Sequence, residues 1–389
     1  MKIIKYGLIF LLIFSCSRHK VISTKDEFSN IPNFSSYVKK TKDLILKENF
    51  RGKHVVNKIA PFELKNKKKC SDGKKRGILL IHGLWSSPYE TRYLADLFAS
   101  ECFLTRSILL PGHGTKIQDL FNIHYKEWSS FIHWHIEQLK KEVDDVHLLG
   151  FSAGAALSVH TALKRDDIKG LFLFSPALAF PWYAQLMPIA HLFSDMMKTR
   201  REDELYRYRS SDLNGALQIY YLNDEIKEIL ETKDSNIPTL SFMFYRDRSL
   251  NPLKAHNVLL KNFKKAQFVL YHDSKEKEYL DSFGGKTEKI VSSFPEKKIY
   301  GQSHLSLILP PHDPYYGEKG EYRDCEHYKE DSENFHVCKS NKSLWQGETI
   351  KRNLKKGPMR RLRYNPLWDH MVITIKDFLK KRLLKNKKH

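Results

Sequence analysis

Apolar residues occur along this chain in two recurrent patterns. Residues 78–81 and 170–174 form short apolar runs, which are typical of strands buried on both faces of a parallel sheet. Residues 89–100 instead place their apolar side chains at helical spacing, and residues 120–143 predict a long helix. Further strands are predicted at 60–64, 103–110, 146–149, 238–245 and 297–300. The alternation of strands and helices predicts a doubly wound, mostly parallel α/β sheet.

The segment 146–154 carries the strongest chemical signal. Its apolar run ends in Gly-Phe-Ser-Ala-Gly and leads directly into alanine-rich, helix-forming sequence. Gly-x-Ser-x-Gly between a strand and a helix is typical of a nucleophile elbow, a tight turn that exposes a serine hydroxyl. Gly150 and Gly154 allow the strand and the helix to approach closely. Ser152 is therefore the candidate nucleophile.

A His-Gly turn follows the buried strand at 78–81 and precedes the helix at 89–100. Strand, turn and helix in this order suit an oxyanion loop. The backbone N–H groups of Leu84 and Ala153 are the candidate oxyanion donors. We interpret His82 as a structural histidine that braces the loop, because a general base is expected much later in the chain.

Three motifs then occur in the order and spacing of the α/β-hydrolase superfamily. They are His-Gly-Leu at 82–84, Leu-Pro-Gly-His-Gly at 110–114 and Gly-Phe-Ser-Ala-Gly at 150–154. The chain most resembles the branch of monoacylglycerol lipases, lysophospholipases and carboxylesterases, over about residues 78–304 and the final helix. The resemblance implies an α/β-hydrolase fold with a helical cap insertion.

The resemblance also implies where the acid of a catalytic triad lies. In this superfamily the acid follows the strand that corresponds to residues 238–245, in a turn that enters a helix. Asp247 occupies that place. A solvated aspartate paired with Arg246 or Arg248 is the other interpretation, and Asp273 is the alternative acid.

The resemblance also implies that the base follows the last strand, which places it at His304, just beyond residues 297–300. His272 comes too soon after the acid, and His312 lies in a proline-rich loop. The resulting chain order of serine, aspartate and histidine is the one expected for an α/β hydrolase.

These patterns divide the chain into a small number of units. They are a signal peptide (1–15), an N-terminal tether with a helix (16–59), two parts of the core (60–176 and 238–309), a helical cap (177–237), a polar insertion with two cysteines (310–366), and a closing helix with a basic tail (367–389). We expect the aromatic and methionine side chains of the cap mostly to pack on the core, with a few facing an acyl pocket. The polar insertion departs from the superfamily pattern and is expected on the active-site side.

The formal net charge of +21 suggests an anionic partner, either a membrane surface or nucleic acid. No zinc-finger, RRM or helix-turn-helix pattern accompanies the basic residues, which argues against nucleic acid. We therefore interpret the charge as a solvated basic surface that favours anionic lipid.

The start of the chain has the features of a targeting segment. Lys2 and Lys5 precede an apolar stretch at 7–14 that is too short to span a bilayer. The residues at 13–16 resemble the lipobox of bacterial lipoproteins, in which Cys16 would receive lipid. An ordinary signal peptide or an N-terminal anchor is the alternative. In each case we expect the mature chain outside the cytoplasm, in the cell envelope or secreted.

The other four cysteines form an even set that can pair in an oxidising compartment. The favoured pairs are Cys325–Cys338, which closes a small polar loop, and Cys70–Cys102, which flank two neighbouring predicted strands. Three pairings are formally possible. The spacing does not suit a zinc site, and no metal or cofactor is expected.

Two hypotheses about function follow. The first is a serine hydrolase that cleaves lipid-like or short-acyl carboxylic esters through an acyl-enzyme, with a membrane-attached lipid anchor and no bound nucleic acid. The second is a catalytically inactive hydrolase fold that serves as a surface binding or assembly lipoprotein, motivated by the polar insertion and the basic surface. The sequence leaves the oligomeric state open.

Overall fold

The computed structural model describes residues 31–48, 52–273 and 277–384. The predicted signal peptide (1–15) and the candidate lipidation residue Cys16 lie outside the described residues. Within the described ranges, no helix combines the length and the apolar character needed to cross a bilayer.

The strands and helices follow one another through most of the described chain. The strands are β1 (Phe62–Leu64), β2 (Arg76–Ile81), β3 (Phe103–Ile108), β4 (Asp145–Phe151), β5 (Ile168–Phe174), β6 (Met196–Lys198), β7 (Ser211–Asp212), β8 (Thr239–Phe244), β9 (Ala266–His272), β10 (Thr287–Val291), β11 (Trp345–Gly347) and β12 (Met359–Arg361). The helices are α1 (Phe34–Glu48), α2 (Lys53–Ile59), α3 (Arg92–Ser100), α4 (Tyr125–Lys140), α5 (Ala153–Leu163), α6 (Met187–His191), α7 (Leu213–Thr232), α8 (Pro252–Asn262), α9 (Lys277–Asp281), α10 (Glu333–Ser340), α11 (Lys351–Leu354) and α12 (Trp368–Phe378).

Eight strands form one central sheet in the order β1-β3-β2-β4-β5-β8-β9-β10. Strand β1 pairs antiparallel with β3, and the other neighbours are parallel. Strands β2, β3 and β8 are buried at every position, as expected of interior strands covered by helices on both faces. The predicted doubly wound, mostly parallel α/β sheet is confirmed.

The last strand of the sheet lies earlier than predicted. The sequence analysis placed a strand at 297–300, whereas the sheet ends with β10 and residues 295–297 form a short 3-10 turn. Lys298 has a left-handed backbone with φ of 55°, and Ile299 makes only isolated bridges to Phe294 and Gln346. Strand β10 is a half-exposed edge strand with the sequence Thr-Glu-Lys-Ile-Val, so it lacks the apolar run by which the interior strands were found.

The cap is less helical than predicted and more open. Between 177 and 237, the long helix α7 is preceded by the short helix α6, the small hairpin β6–β7 and an irregular segment at 199–210. The expectation that the apolar side chains at its start mostly pack on the core is wrong. Seven large apolar side chains are more than half exposed there: Trp182, Tyr183, Leu186, Ile189, Leu192, Phe193 and Met197. We call these seven residues the apolar face of the cap.

The polar insertion is an ordered, mostly irregular segment of the fold. It contains α10, α11 and the parallel pair β11–β12, and a small core forms where Leu362 and Tyr364 pack with Ile299. Two disulfides are present, Cys325–Cys338 within the insertion and Cys70–Cys102 beside β3. These are the two pairs that the sequence analysis favoured.

Candidate active site

Ser152 occupies the sharp turn between β4 and α5. Its backbone has φ of 54° and ψ of −114°, a combination that a residue with a side chain rarely adopts. A Cβ added to Gly154 would lie 2.2 Å from the carbonyl oxygen of Ile81, and one added to Gly150 would lie 2.3 Å from that of Gly154. The two glycines therefore permit a close strand–helix contact that forces the serine into its strained, partly exposed position.

The side chains of Asp247 and His304 converge on this serine. The Nε2 atom of His304 lies 3.0 Å from the hydroxyl oxygen of Ser152, and its Nδ1 atom lies 2.5 Å from a carboxylate oxygen of Asp247. The other oxygen of Asp247 accepts the backbone N–H groups of Ser249 at 2.8 Å and Leu250 at 3.2 Å. With the Nδ1 proton donated to Asp247, Nε2 is free to accept the serine proton.

The alternative acid and bases make other contacts. Asp273 forms an ion pair with Arg246 at 3.4 Å. His272 follows β9 and packs against Tyr245, with ring centroids 6.5 Å apart. His312 packs edge-on against Tyr93, with a centroid distance of 5.4 Å.

The predicted oxyanion loop lies directly against the serine. A Cβ on Gly83 would be 3.4 Å from the Cβ of Ser152, so the loop passes the nucleophile at van der Waals distance. This contact places the adjoining backbone of Leu84 beside the elbow. On the other side, the N–H of Ala153 belongs to the first turn of α5, where no intrahelical carbonyl can accept it.

Two buried histidines brace this loop. His82 donates from Nδ1 to the carbonyl of Gly83 at 2.8 Å and accepts the N–H of Leu110 at Nε2, at 3.0 Å. His113 accepts the N–H of Trp85 at Nε2, at 3.1 Å. Burial lowers the pKa of His82 well below its usual value and that of His113 to about 4, so both rings are neutral and able to accept. The sequence analysis anticipated the bracing by His82 but assigned no role to His113.

The cap is attached to the same loop. The indole of Trp85 donates to the carboxylate of Asp212 at 2.7 Å. The backbone carbonyl of Trp85 accepts the N–H of Tyr208 at 2.8 Å. Asp212 is also the N-cap of α7. The cap segment before α7 therefore covers the oxyanion loop at close range.

Glu348 of the polar insertion is a further residue of the site, and the sequence analysis did not find it. Its carboxylate accepts the backbone N–H of His304 at 3.0 Å. No motif or spacing in the sequence signals this contact, because it joins two irregular segments.

The site offers no metal centre. Within residues 31–48, 52–273 and 277–384, no group of three or more histidine, cysteine, aspartate or glutamate side chains is arranged to hold a metal ion.

Comparison with known proteins bears on the core of the chain. Residues 78–254 match the family model described as "Alpha/beta hydrolase family". Among curated proteins, the thermostable monoacylglycerol lipase of Bacillus sp. (strain H-257) is 28% identical over 105 residues, which are 27% of this chain and 42% of the lipase. The match thus spans less than half of that relative.

Solved structures of lipolytic enzymes are also similar at low identity. A structure reported for LipS and LipT, two metagenome-derived lipolytic enzymes, has a TM-score of 0.46 at 17% identity and covers 59% of this chain and 86% of its own. The monoacylglycerol lipase of Paleococcus ferrophilus has a TM-score of 0.44 at 18% identity and covers 55% and 88%. The family match and the observed sheet order together show the predicted α/β-hydrolase fold, with distant similarity to monoacylglycerol lipases and esterases.

Proposed function

We propose that this α/β-hydrolase-fold protein is a serine hydrolase that cleaves carboxylic esters through an acyl-enzyme. The observation that carries the proposal is the position of His304, whose ring reaches the hydroxyl of Ser152 at 3.0 Å and the carboxylate of Asp247 at 2.5 Å. A neutral imidazole between a hydroxyl and a buried carboxylate can accept the serine proton, and the carboxylate then stabilises the imidazolium.

The proposed reaction has two halves. In the first, the hydroxyl oxygen of Ser152 attacks the ester carbonyl carbon while its proton moves to Nε2 of His304. The N–H groups of Leu84 and Ala153 donate to the resulting oxyanion. The intermediate collapses with cleavage of the C–O bond, and Nε2 returns the proton to the leaving alcohol. In the second half, water gives a proton to Nε2 of His304 while its oxygen attacks the acyl carbon. The bond from that carbon to the oxygen of Ser152 then breaks, Nε2 returns the proton to Ser152, and the acid is released.

The cap supports a lipid-like substrate. Its apolar face exposes seven large apolar side chains between Trp182 and Met197, and Phe193 alone is 84% exposed. So many large exposed apolar side chains within one short segment support an interaction site there. The segment that leads to this surface passes the nucleophile, since the N–H of Ala177 donates to the carbonyl of Ser152 at 3.1 Å. We propose that esters with an apolar acyl chain, presented at a lipid surface, are the substrates.

We also propose that the protein acts outside the cytoplasm as a membrane-attached lipoprotein. Two features support this placement. Residues 1–16 combine basic residues, a short apolar stretch and a terminal cysteine. The two disulfides, Cys70–Cys102 and Cys325–Cys338, suit an oxidising compartment.

The test compares the wild-type protein with Ser152→Ala. The wild type is expected to hydrolyse p-nitrophenyl esters of increasing chain length and to be labelled by a fluorophosphonate probe, and the variant to do neither. Labelling of the variant at the wild-type level would show that Ser152 is not the nucleophile. A folded wild type that is neither active nor labelled would favour the second hypothesis, an inactive surface-binding lipoprotein.

A further inference from the structure

The polar insertion encloses the loop that carries His304. Before His304, the N–H of Tyr300 donates to the carbonyl of Gln346 at 2.8 Å, and the hydroxyl of Ser303 donates to the carbonyl of Leu362 at 2.6 Å. After His304, the carbonyl of Leu307 accepts the side-chain amide of Asn365 at 3.1 Å. The loop is therefore held before and after the candidate base by the segment that departs from the superfamily pattern.

Glu348 makes the contact to His304 itself. One oxygen of its carboxylate accepts the backbone N–H of His304 at 3.0 Å, and the other accepts the N–H of Thr349 at 2.9 Å. The guanidinium of Arg361 lies against both oxygens, at 2.9 and 3.1 Å. The Glu348 side chain is 1% exposed, and a charge can be buried this deeply only because it is paired and hydrogen-bonded.

Arg361 and Thr349, the residue after Glu348, reach the loop of Asp247. The guanidinium of Arg361 lies 3.5 Å from the hydroxyl of Ser249, whose N–H in turn donates to Asp247. Arg248 donates to the carbonyl and the hydroxyl of Thr349 at 3.2 and 3.1 Å. Glu348 and its neighbours thus connect the loop of the candidate acid with the loop of the candidate base.

We infer that Glu348 is a positioning residue for His304 and that Arg361 holds Glu348 in place. This inference rests on the proposed function. Ser152 is held between β4 and α5, and Asp247 lies in the turn directly after β8. His304, in contrast, does not directly follow a strand of the central sheet. Its ring must nevertheless meet two partners at once. The bond from Glu348 fixes the main chain from which that ring projects, so that Nε2 stays within reach of the serine.

The test measures kcat and KM of the full chain for a soluble p-nitrophenyl ester. We expect Glu348→Ala to lower kcat roughly 10- to 100-fold, because a small displacement of a reacting group has effects of this size. The KM is expected to change little, whereas the thermal midpoint is expected to fall because Arg361 and two backbone N–H groups lose a buried partner, so kcat is measured well below that midpoint. Glu348→Gln keeps one acceptor oxygen for three N–H donors. We expect its kcat to lie between that of the alanine variant and that of the wild type. The matched control is Glu333→Ala, an exposed acid at the start of α10, with wild-type kcat expected.

A second measurement separates positioning from general disruption. If Glu348 acts through the imidazole, adding Glu348→Ala to His304→Ala leaves the residual rate unchanged, since residues that act as one unit are not additive. The inference would be overturned if Glu348→Ala lowered the rate of the His304→Ala protein by the same factor as it lowers that of the wild type.

Wild-type kcat in a folded Glu348→Ala protein would also overturn the inference. If that variant does not fold, wild-type kcat in Glu348→Gln has the same consequence. In each case, an active wild-type protein would still support the proposed function. A wild-type protein with neither activity nor probe labelling would instead contradict the proposed function itself.

Discussion

The backbone N–H of Trp85 donates a hydrogen bond of 3.1 Å to Nε2 of His113, an imidazole that is buried and neutral. Trp85 has φ of 61°, so this bond holds a residue in a backbone conformation that side chains disfavour. Trp85 directly follows Leu84, the proposed oxyanion donor. The geometry of the oxyanion loop therefore depends on a histidine that takes no part in the chemistry.

Replacing this histidine tests that dependence. In His113→Ala the partly buried N–H of Trp85 loses its acceptor, which typically costs about 1 kcal/mol of unfolding free energy or more. We expect kcat for a soluble ester to fall as well, because the adjoining oxyanion donor is no longer held. Urea unfolding and steady-state kinetics check both effects, with His336→Ala on the exposed side of α10 as control. A folded His113→Ala protein with wild-type kcat would contradict the expectation.

Stability is expected to fall as the pH is lowered from 6.5 towards 4. Burial lowers the pKa of His113, His147, His160 and His327 to about 4, whereas an unfolded histidine titrates near 6.5. Between these values the unfolded chain binds more protons than the folded one, so the unfolding free energy decreases with decreasing pH. Burial also lowers the pKa of four further histidines, which act in the same direction: His82, His133, His135 and His256. Burial raises the pKa of Glu326 to about 7 and that of Glu90, Asp119 and Asp212 above its usual value, so four carboxyl groups oppose the trend of eight histidines.

A variant isolates the contribution of one histidine. His147 packs in the core beside Phe103 and donates from Nδ1 to the carbonyl of Gly77, 3.2 Å away. Between pH 7.5 and pH 5 we expect His147→Gln to lose about 2 kcal/mol less unfolding free energy than the wild type. Urea titrations at the two pH values measure the difference, and equal losses in the two proteins would contradict the assignment.

The two disulfides are expected to differ in their effect on activity. The carbonyl of Asp324, the residue before Cys325, accepts the backbone N–H of Arg361 at 3.1 Å. The Cys325–Cys338 bond therefore anchors β12, the strand that carries Arg361, the partner of Glu348. Removing either disulfide typically costs about 2–5 kcal/mol of stability. We expect the pair of substitutions Cys325→Ala and Cys338→Ala also to lower kcat.

The Cys70–Cys102 bond provides the control for that experiment. It closes the chain beside β3, away from the loop of His304. The substitutions Cys70→Ala and Cys102→Ala are expected to lower the thermal midpoint and to leave kcat unchanged below that temperature. Equal kcat losses in the two double variants would show that the insertion disulfide has no special connection to the site.

The apolar face of the cap is expected to act on lipid-borne substrate only. Leu192 and Phe193 are 79% and 84% exposed, and burying a side chain of this size contributes about 1.5–3 kcal/mol. We expect Leu192→Ser with Phe193→Ser to reduce binding to phosphatidylglycerol-containing vesicles and the turnover of a long-chain ester in them. Hydrolysis of a soluble short-chain ester should not change. Ile373→Ser, at a 66% exposed position on α12, is the matched control, and equal vesicle binding by all three proteins would contradict the role of the cap.

The sequence predicted those parts of the molecule that local patterns determine. The interior strands, the serine turn and the α/β-hydrolase fold follow from apolar runs and from motifs a few residues long. The position of His304 was predicted from chain order even though the strand placed before it, at 297–300, was wrong. Glu348 could not be predicted, because its contact with His304 spans 44 positions between irregular segments. The exposure of the cap was missed because composition does not tell which surface an apolar side chain faces.

The bond between Glu348 and the backbone of His304 has a consequence for biosynthesis. When residue 304 of a nascent chain has just been synthesised, the chain already contains the serine, the aspartate and the histidine. It does not yet contain the carboxylate of Glu348, which anchors the histidine, or the guanidinium of Arg361, which pairs with that carboxylate. Under the proposed function, the full rate of ester hydrolysis would then be reached only after residue 361 has been synthesised, and shorter translation products would turn over more slowly.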